Sequence, residues 1–300
     1  MWSRFASTRI RTSDSSIFVR SGGSGPPLLL LHGFPETHLM WRGVAPLLAD
    51  RFSVVCADLC GYGSSGCPTS PSDHSRYSKR AIASELIDVM RQLGWPSFSV
   101  AGHDRGGRVA YRMALDHPDQ VERLAVLDVL PTGEVWDRAD ARLAYAFWPW
   151  SLLAQPEPLP ERLVLGSPDA IVDDALGGWG SPRSVFDDEV RAAYVEVLKD
   201  PAHVHAICEE YRAAATRDRE DDAADRKADR RIRCPVLALW SSRGGLDSWY
   251  SDAGGPLAIW RAWAHEVEGC SVDAGHFFPE EIPEKTATLL ARFFGAQRGR

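Results

Sequence analysis

No two cysteines in this sequence have the Cys-x-x-Cys spacing, and no Cys/His cluster has the spacing of a zinc site. The six that occur, Cys56, Cys60, Cys67, Cys208, Cys234 and Cys270, are scattered and read as reduced thiols of a cytosolic protein. A chain of 300 residues can bury a core large enough to stand without disulfide or metal. Positive charge is also in deficit. A formal net charge of −7 argues against nucleic acid and against an anionic membrane surface as partners. Long hydrophobic runs are missing as well: residues 28–31 are far too few to cross a bilayer. Arg4, Arg9 and Arg11 stand among Ser and Thr with no apolar stretch behind them, unlike a secretory signal. A degenerate transit peptide is the less favoured alternative, and the expected location is cytoplasmic. Internal repeats and low-complexity tracts are lacking too.

What is present is an alternation of short apolar runs and helical stretches. Residues 28–31, 52–57 and 98–101 read as buried parallel strands, followed by 124–127, 235–240 and 266–272. Residues 78–93 and 105–116 read as helices. This pattern predicts an α/β fold with a mostly parallel, doubly wound sheet. Regularity breaks at about residue 132. From 133 to 231 the chain is rich in Trp, Pro and Ala, then in charge, with Pro149, Pro156, Pro158 and Pro160 as punctuation. We expect an inserted helical cap at 133–231 and a core made of 1–132 and 232–300. Residues 217–233 alternate acids and bases and read most simply as a solvated helix face and linker.

The segment Gly102-His103-Asp104-Arg105-Gly106-Gly107 follows a predicted strand and opens a predicted helix. Gly-x-nucleophile-x-Gly makes a tight strand-to-helix bend that leaves its central side chain at a helix N-terminus, where an anion is favoured. With Asp104 in that place, the group is ionised at neutral pH without help from a base. Attack on an acyl carbon would give a reactive anhydride. Attack on saturated carbon displaces a leaving group and gives an ester that water can open. The chemistry therefore points to alkyl halides, halocarboxylates or epoxides.

The second step needs a base. His276, in Gly275-His276-Phe277 after the last predicted strand, arrives where the histidine of such a triad arrives. Asp128, directly after the strand that follows the elbow, is favoured as its orienting acid. Asp247, in a Gly-rich loop, is the alternative. The His32-Gly33-Phe34-Pro35 turn can aim the Phe34 N–H at the site, and with the Arg105 N–H it would form an oxyanion hole. Arg105 and Arg108 can share one side of the helix start and grip a substrate carboxylate. Trp179 is a candidate for lining an access path.

These motifs resemble the haloacetate (fluoroacetate) dehalogenases of the α/β-hydrolase fold. The resemblance runs through Pro26–Pro35, Gly102–Arg108, Leu127–Thr132, Leu153–Pro156, Cys208–Arg212 and Gly275–Phe277. It implies Asp104 as nucleophile, His276 as base, Asp128 as orienting acid, and Arg105 and Arg108 on the carboxylate. It also implies a halide pocket built from a His-Trp pair and a cap Tyr. Trp150 and Tyr211 match the last two, but Pro149 stands where the family has His. Proline has no N–H and no side-chain donor, so chloro- and bromoacids are expected to turn over better than fluoroacetate. Trp148 is a candidate substitute donor. No metal or cofactor is expected, and a homodimer is an expectation from the resemblance alone. The nearest rival is an epoxide hydrolase that pairs Tyr211 with Tyr145 or Tyr194. A haloalkane dehalogenase meets the same objection as the epoxide reading, because neither neutral substrate needs the arginine pair. A noncatalytic ligand receptor on the same scaffold is the remote alternative.

Overall fold

A computed structural model describes residue 2 and residues 4–296. Eight strands form one sheet in the order β1-β2-β4-β3-β5-β6-β7-β8. They are β1 (Phe5–Arg11), β2 (Ser16–Gly23), β3 (Pro27–Leu31), β4 (Ser53–Ala57), β5 (Phe98–His103), β6 (Val121–Leu127), β7 (Val236–Ser241) and β8 (Val267–Val272). From β4 to β8 the pairing is parallel. The central strands read as unbroken apolar runs because helices cover both faces: every residue of β5 is buried, as are Leu28–Leu31 of β3.

The first two strands are a departure from the expected pattern. β1 and β2 form a hairpin, and β2 joins β4 antiparallel. β1 is an edge strand in which only Ile10 is buried. Its arginines mark a charged sheet edge, which discourages pairing with a second chain.

The helices that matter here are α1 (Lys79–Gln92), α2 (Asp104–Asp116), α3 (Leu159–Gly166), α4 (Pro168–Gly178), α5 (Asp188–Val197), α6 (Pro201–Ala215), α7 (Arg217–Lys227), α8 (Gly255–Trp263) and α9 (Pro283–Phe294). The Ser78 hydroxyl caps α1 by accepting from Ala81 N–H at 3.2 Å. Asp200 caps α6 by accepting from Ala202 N–H at 2.8 Å, with Pro201 in the first turn. Helix α2 has no side-chain cap; its N-terminus is the elbow. Between β6 and β7 lie helices, turns and loops, with one isolated bridge from Ile232 to Ala264. Among the described residues, no helix is long and apolar enough to cross a membrane.

Helix α7 corrects the expectation for 217–233. Its charges are not all solvated: Asp218, Asp222 and Asp225 lie on one face and are buried. Asp218 meets Lys79 at 3.1 Å, and Asp222 and Asp225 both meet Arg112, at 2.8 and 2.5 Å. Asp222 Oδ2 accepts from the Tyr111 hydroxyl at 2.9 Å and from the Gly133 N–H at 2.8 Å. The acids look solvated in sequence because their cations lie on α1 and α2, far along the chain.

Candidate active site

The carboxyl ends of β3, β5, β6 and β8 deliver His32, Asp104, Asp128 and His276 to one side of the sheet, where parallel α/β sheets place their ligands. The bend after β5 is closed by glycines with no room for a side chain. A Cβ on Gly102 would overlap the Gly106 carbonyl, and one on Gly106 would overlap the backbone of Leu31 and His32. Asp104 itself sits at φ 43°, a left-handed conformation held by this packing.

Asp104 is 8% exposed. Its Oδ2 accepts the Phe34 N–H at 3.1 Å. Burial opposes its ionisation, but His276, Arg105, Arg108 and His103 outweigh that and hold the carboxyl below the usual carboxylate range. The Phe34 N–H expected at an oxyanion hole is thus already on one carboxylate oxygen.

His276 is 3% exposed, and its Nδ1 donates to Asp128 Oδ2 at 2.6 Å. Asp128 also accepts the Ser241 N–H on Oδ1 at 2.8 Å, and its own N–H donates to Leu239 O at 2.7 Å. These bonds fix Asp128 at φ 50° directly past β6. The alternative acid fails on geometry: Asp247 is exposed and accepts the Trp240 indole N–H at 2.7 Å.

Arg105 is fully buried and bound to Glu210 of α6, with Nε–Oε2 2.8 Å and Nη2–Oε1 2.7 Å. Glu210 also contacts Lys79. Burial works against the charge on Arg105, and Glu210 more than restores it. One terminal nitrogen, Nη1, has no protein partner among the described residues. Arg108 is placed differently. Its Nη1 donates to Leu130 O at 2.7 Å, its Nε has no partner, and no acid forms an ion pair with it among the described residues. Burial, then Arg105, push its pKa down.

The aromatic residues expected at a halide pocket gather on these guanidiniums. Arg108 lies 4.3 Å from the Trp150 ring centre and Arg105 4.0 Å from that of Tyr211. Pro149 precedes Trp150 at the start of a short helical turn, Pro149–Leu152. Trp148 does not fill the missing donor's place, because its indole N–H is on Asp174 at 2.5 Å. Trp179, expected on an access path, is 7% exposed and works as packing. Its ring meets His276 edge-on at 5.3 Å, its indole N–H donates to Ala146 O at 2.6 Å, and its carbonyl accepts the His276 N–H at 2.9 Å. Of the tyrosines considered for epoxide opening, Tyr145 is 91% exposed and Tyr194 donates to Glu280 at 3.0 Å.

Sequence reasoning missed a second buried pair. His103 is bound through Nδ1 to Glu36 Oε2 at 3.0 Å and through Nε2 to the His276 carbonyl at 2.9 Å. The His276 carbonyl can only accept, so Nε2 carries a proton, and the Glu36 carboxyl at Nδ1 favours the doubly protonated, charged ring. Burial opposes that charge and Glu36 raises the pKa against it. The available signal was a histidine ending an otherwise apolar strand and an acid just past the Phe34-Pro35 turn.

Known proteins resemble this chain over nearly its whole length. The family model of the alpha/beta hydrolase fold matches residues 26–281. A fluoroacetate dehalogenase from Burkholderia sp. is 42% identical over 299 residues, 99% of this chain and 96% of its own. A soluble epoxide hydrolase from Corynebacterium sp. (strain C12) is 33% identical over 291 residues, 93% of each chain. The crystal structure of ALR0039 from Nostoc sp. PCC 7120 superimposes with a TM-score of 0.93 at 44% identity, covering 98% of this chain and 99% of that one.

Proposed function

Because this chain belongs to the haloacetate dehalogenase family of α/β-hydrolase-fold enzymes, we propose that it hydrolyses the carbon–halogen bond of small 2-halocarboxylic acids. The observation that carries the reading is a buried guanidinium pair beside an ionised Asp104, each guanidinium with an N–H left unpartnered. Unpartnered buried donors are costly, and a substrate carboxylate would satisfy both. A neutral epoxide would leave them unsatisfied.

With the acid end held there, Asp104 Oδ1 attacks the halogen-bearing carbon while Phe34 N–H holds Oδ2. The carbon–halogen bond breaks as the new C–O bond forms, so a chiral carbon inverts. Halide leaves toward Trp150 and Tyr211. His276 Nε2 then takes a proton from water, its Nδ1–H being fixed on Asp128. The hydroxide formed attacks the ester carbonyl carbon of Asp104. Negative charge develops on Oδ2, where the Phe34 N–H, with the Arg105 N–H as second donor, stabilises it. Collapse expels the 2-hydroxy acid as its alkoxide, which takes the proton from His276. Asp104, left as the carboxylic acid, releases its proton to water and is ionised again, so each turnover yields one halide and one proton. Both steps use only side chains and water, so the proposal needs no cofactor. Chloro- and bromoacids are preferred over fluoroacetate because Pro149 supplies no donor to the departing halide. A cytoplasmic location and a homodimer accompany the proposal.

The test is a single turnover of chloroacetate in ¹⁸O water followed by peptide mass analysis. Label should appear in the Asp104 peptide; label only in the released acid would rule out the ester route. A halide-release panel over fluoro-, chloro- and bromoacetate tests the leaving-group order.

A further inference from the structure

Three buried donors near the nucleophile lack a protein partner among the described residues: Arg105 Nη1, Arg108 Nε and Tyr62 Oη. The two arginines already belong to the proposed acid-binding pair. Tyr62 has no role yet. It sits on the loop after β4, between Gly61 and Gly63, both at positive φ. Its ring meets His32 edge-on at 5.2 Å, and His32 Nε2 accepts the Leu59 N–H from the same loop at 3.0 Å. On the other side, Gly61 packs against Ala206 of α6, the helix that carries Glu210 and Tyr211. Tyr62 is therefore wedged between the turn that holds the Asp104 carboxylate and the helix that holds Arg105, and it is 1% exposed. Burial, then Glu210 and Tyr211, push its pKa well up, so the hydroxyl keeps its proton and can only gain by donating.

We infer that Tyr62 is a substrate-binding residue whose hydroxyl donates to the carboxylate of the bound acid, alongside Arg105 Nη1 and Arg108 Nε. The inference rests on the halocarboxylate reading. It also divides the work among the donors. Arg105 is neutralised by Glu210, whereas Arg108 has no acid of its own among the described residues. Arg108 thus supplies the counter-charge, while Arg105 and Tyr62 fix the direction of the carboxylate plane. A donor of this kind rejects ligands without a matching acceptor more strongly than it attracts the right one.

The experiment titrates glycolate, an unreactive carboxylate, into wild-type protein and Tyr62→Phe by calorimetry, and melts both proteins without ligand. Tyr62→Phe should bind glycolate about 10-fold or more weakly, the loss expected for a hydrogen bond to a charged group. Its ligand-free Tm should be unchanged or higher, because the hydroxyl removed had no partner to lose. Equal glycolate affinity overturns the inference, as does a wild-type protein that binds no glycolate. A lower ligand-free Tm in the variant also overturns it, since the hydroxyl would then serve the fold. Chloride release from chloroacetate by the wild type is measured separately. Its absence removes the dehalogenase reading, while the glycolate comparison decides the role of Tyr62 either way.

Discussion

Among the described residues, the few non-glycine residues at positive φ include both carboxylates of the proposed triad, Asp104 at 43° and Asp128 at 50°. Such conformations cost about 1–3 kcal/mol each and persist where the surroundings over-determine them. At Asp104 the surroundings are the glycine-closed bend and the Phe34 N–H; at Asp128 they are the Ser241 and Leu239 bonds. In the proposed mechanism the two acids have different tasks, Asp104 attacking saturated carbon and Asp128 holding His276 Nδ1. Separating the steps should be possible at that histidine. In His276→Gln the displacement needs no base, so halide should appear in a burst equal to the enzyme present and then stop. Steady turnover should fall about 10²–10⁴-fold. Mass analysis of the protein after the burst checks it: no adduct on Asp104 would mean that His276 is not acting on the ester. Pro149 offers the opposite kind of change. Pro149→His adds a donor beside Trp150, and a donor that strengthens as fluoride leaves should raise the fluoroacetate rate about 10-fold relative to chloroacetate. An unchanged ratio of the two rates would place the halide somewhere else.

At the scale of elements, α7 binds the helical insertion to the core through buried acids rather than an apolar stripe. Asp222→Ala leaves the buried Gly133 N–H without its acceptor and takes one acid from Arg112, which keeps Asp225, and should cost about 1–3 kcal/mol in urea unfolding. Its neighbour Asp221 pairs with Arg80 at a half-exposed position, so Asp221→Ala should cost less than about 1 kcal/mol. Equal losses would mean that the helix is held by something other than its buried face. This helix also marks the limit of what could be read from sequence. Strands β3 to β7 and helices α1 and α2 were legible because burial on both sheet faces, or on one helix stripe, leaves an apolar pattern. The elbow was legible because tight backbone needs glycine. The α7 acids were not, because a buried carboxylate and a solvated one look alike until their partners are known. The β1–β2 hairpin escaped for a related reason, since an edge strand with one buried residue has no periodicity to see. The pairing of Arg105 with Glu210 and of His103 with Glu36 joins residues remote in sequence, and only their juxtaposition shows that one arginine is neutralised and the other is not.

Across the whole molecule, the buried ionic groups set how stability varies with pH. Asp58, Asp104, Asp116, Glu209 and Glu210 all have folded pKa values below their ordinary ones, because nearby cations and hydrogen bonds outweigh burial. A depressed carboxylate contributes stability that is fully present above its unfolded value, about 4, and is lost as pH falls through its folded value. Asp222 acts in the contrary sense: burial raises its pKa, so its contribution is present at low pH and lost as pH rises through its folded value. Near neutrality the histidines pull both ways, His103 in one direction and His32 and the half-buried His117 in the other. His103, raised beside Glu36, favours the fold below about 6.5 and loses that contribution as pH rises through its folded value. His32, lowered by burial, favours the fold above about 6.5 and loses its contribution as pH falls. The histidine contributions differ in sign, whereas the five depressed carboxylates outnumber the two raised ones, Asp221 and Asp222. The urea midpoint should therefore drop more steeply below about pH 4 than it changes between pH 5 and 8. Removing one of the depressed acids should flatten that drop. Glu210→Gln, measured from pH 7 to pH 3, should be less stable than wild type at neutral pH and should lose less on acidification. Parallel curves for the two proteins would show that the Glu210–Arg105–Lys79 cluster is not what acid unfolds.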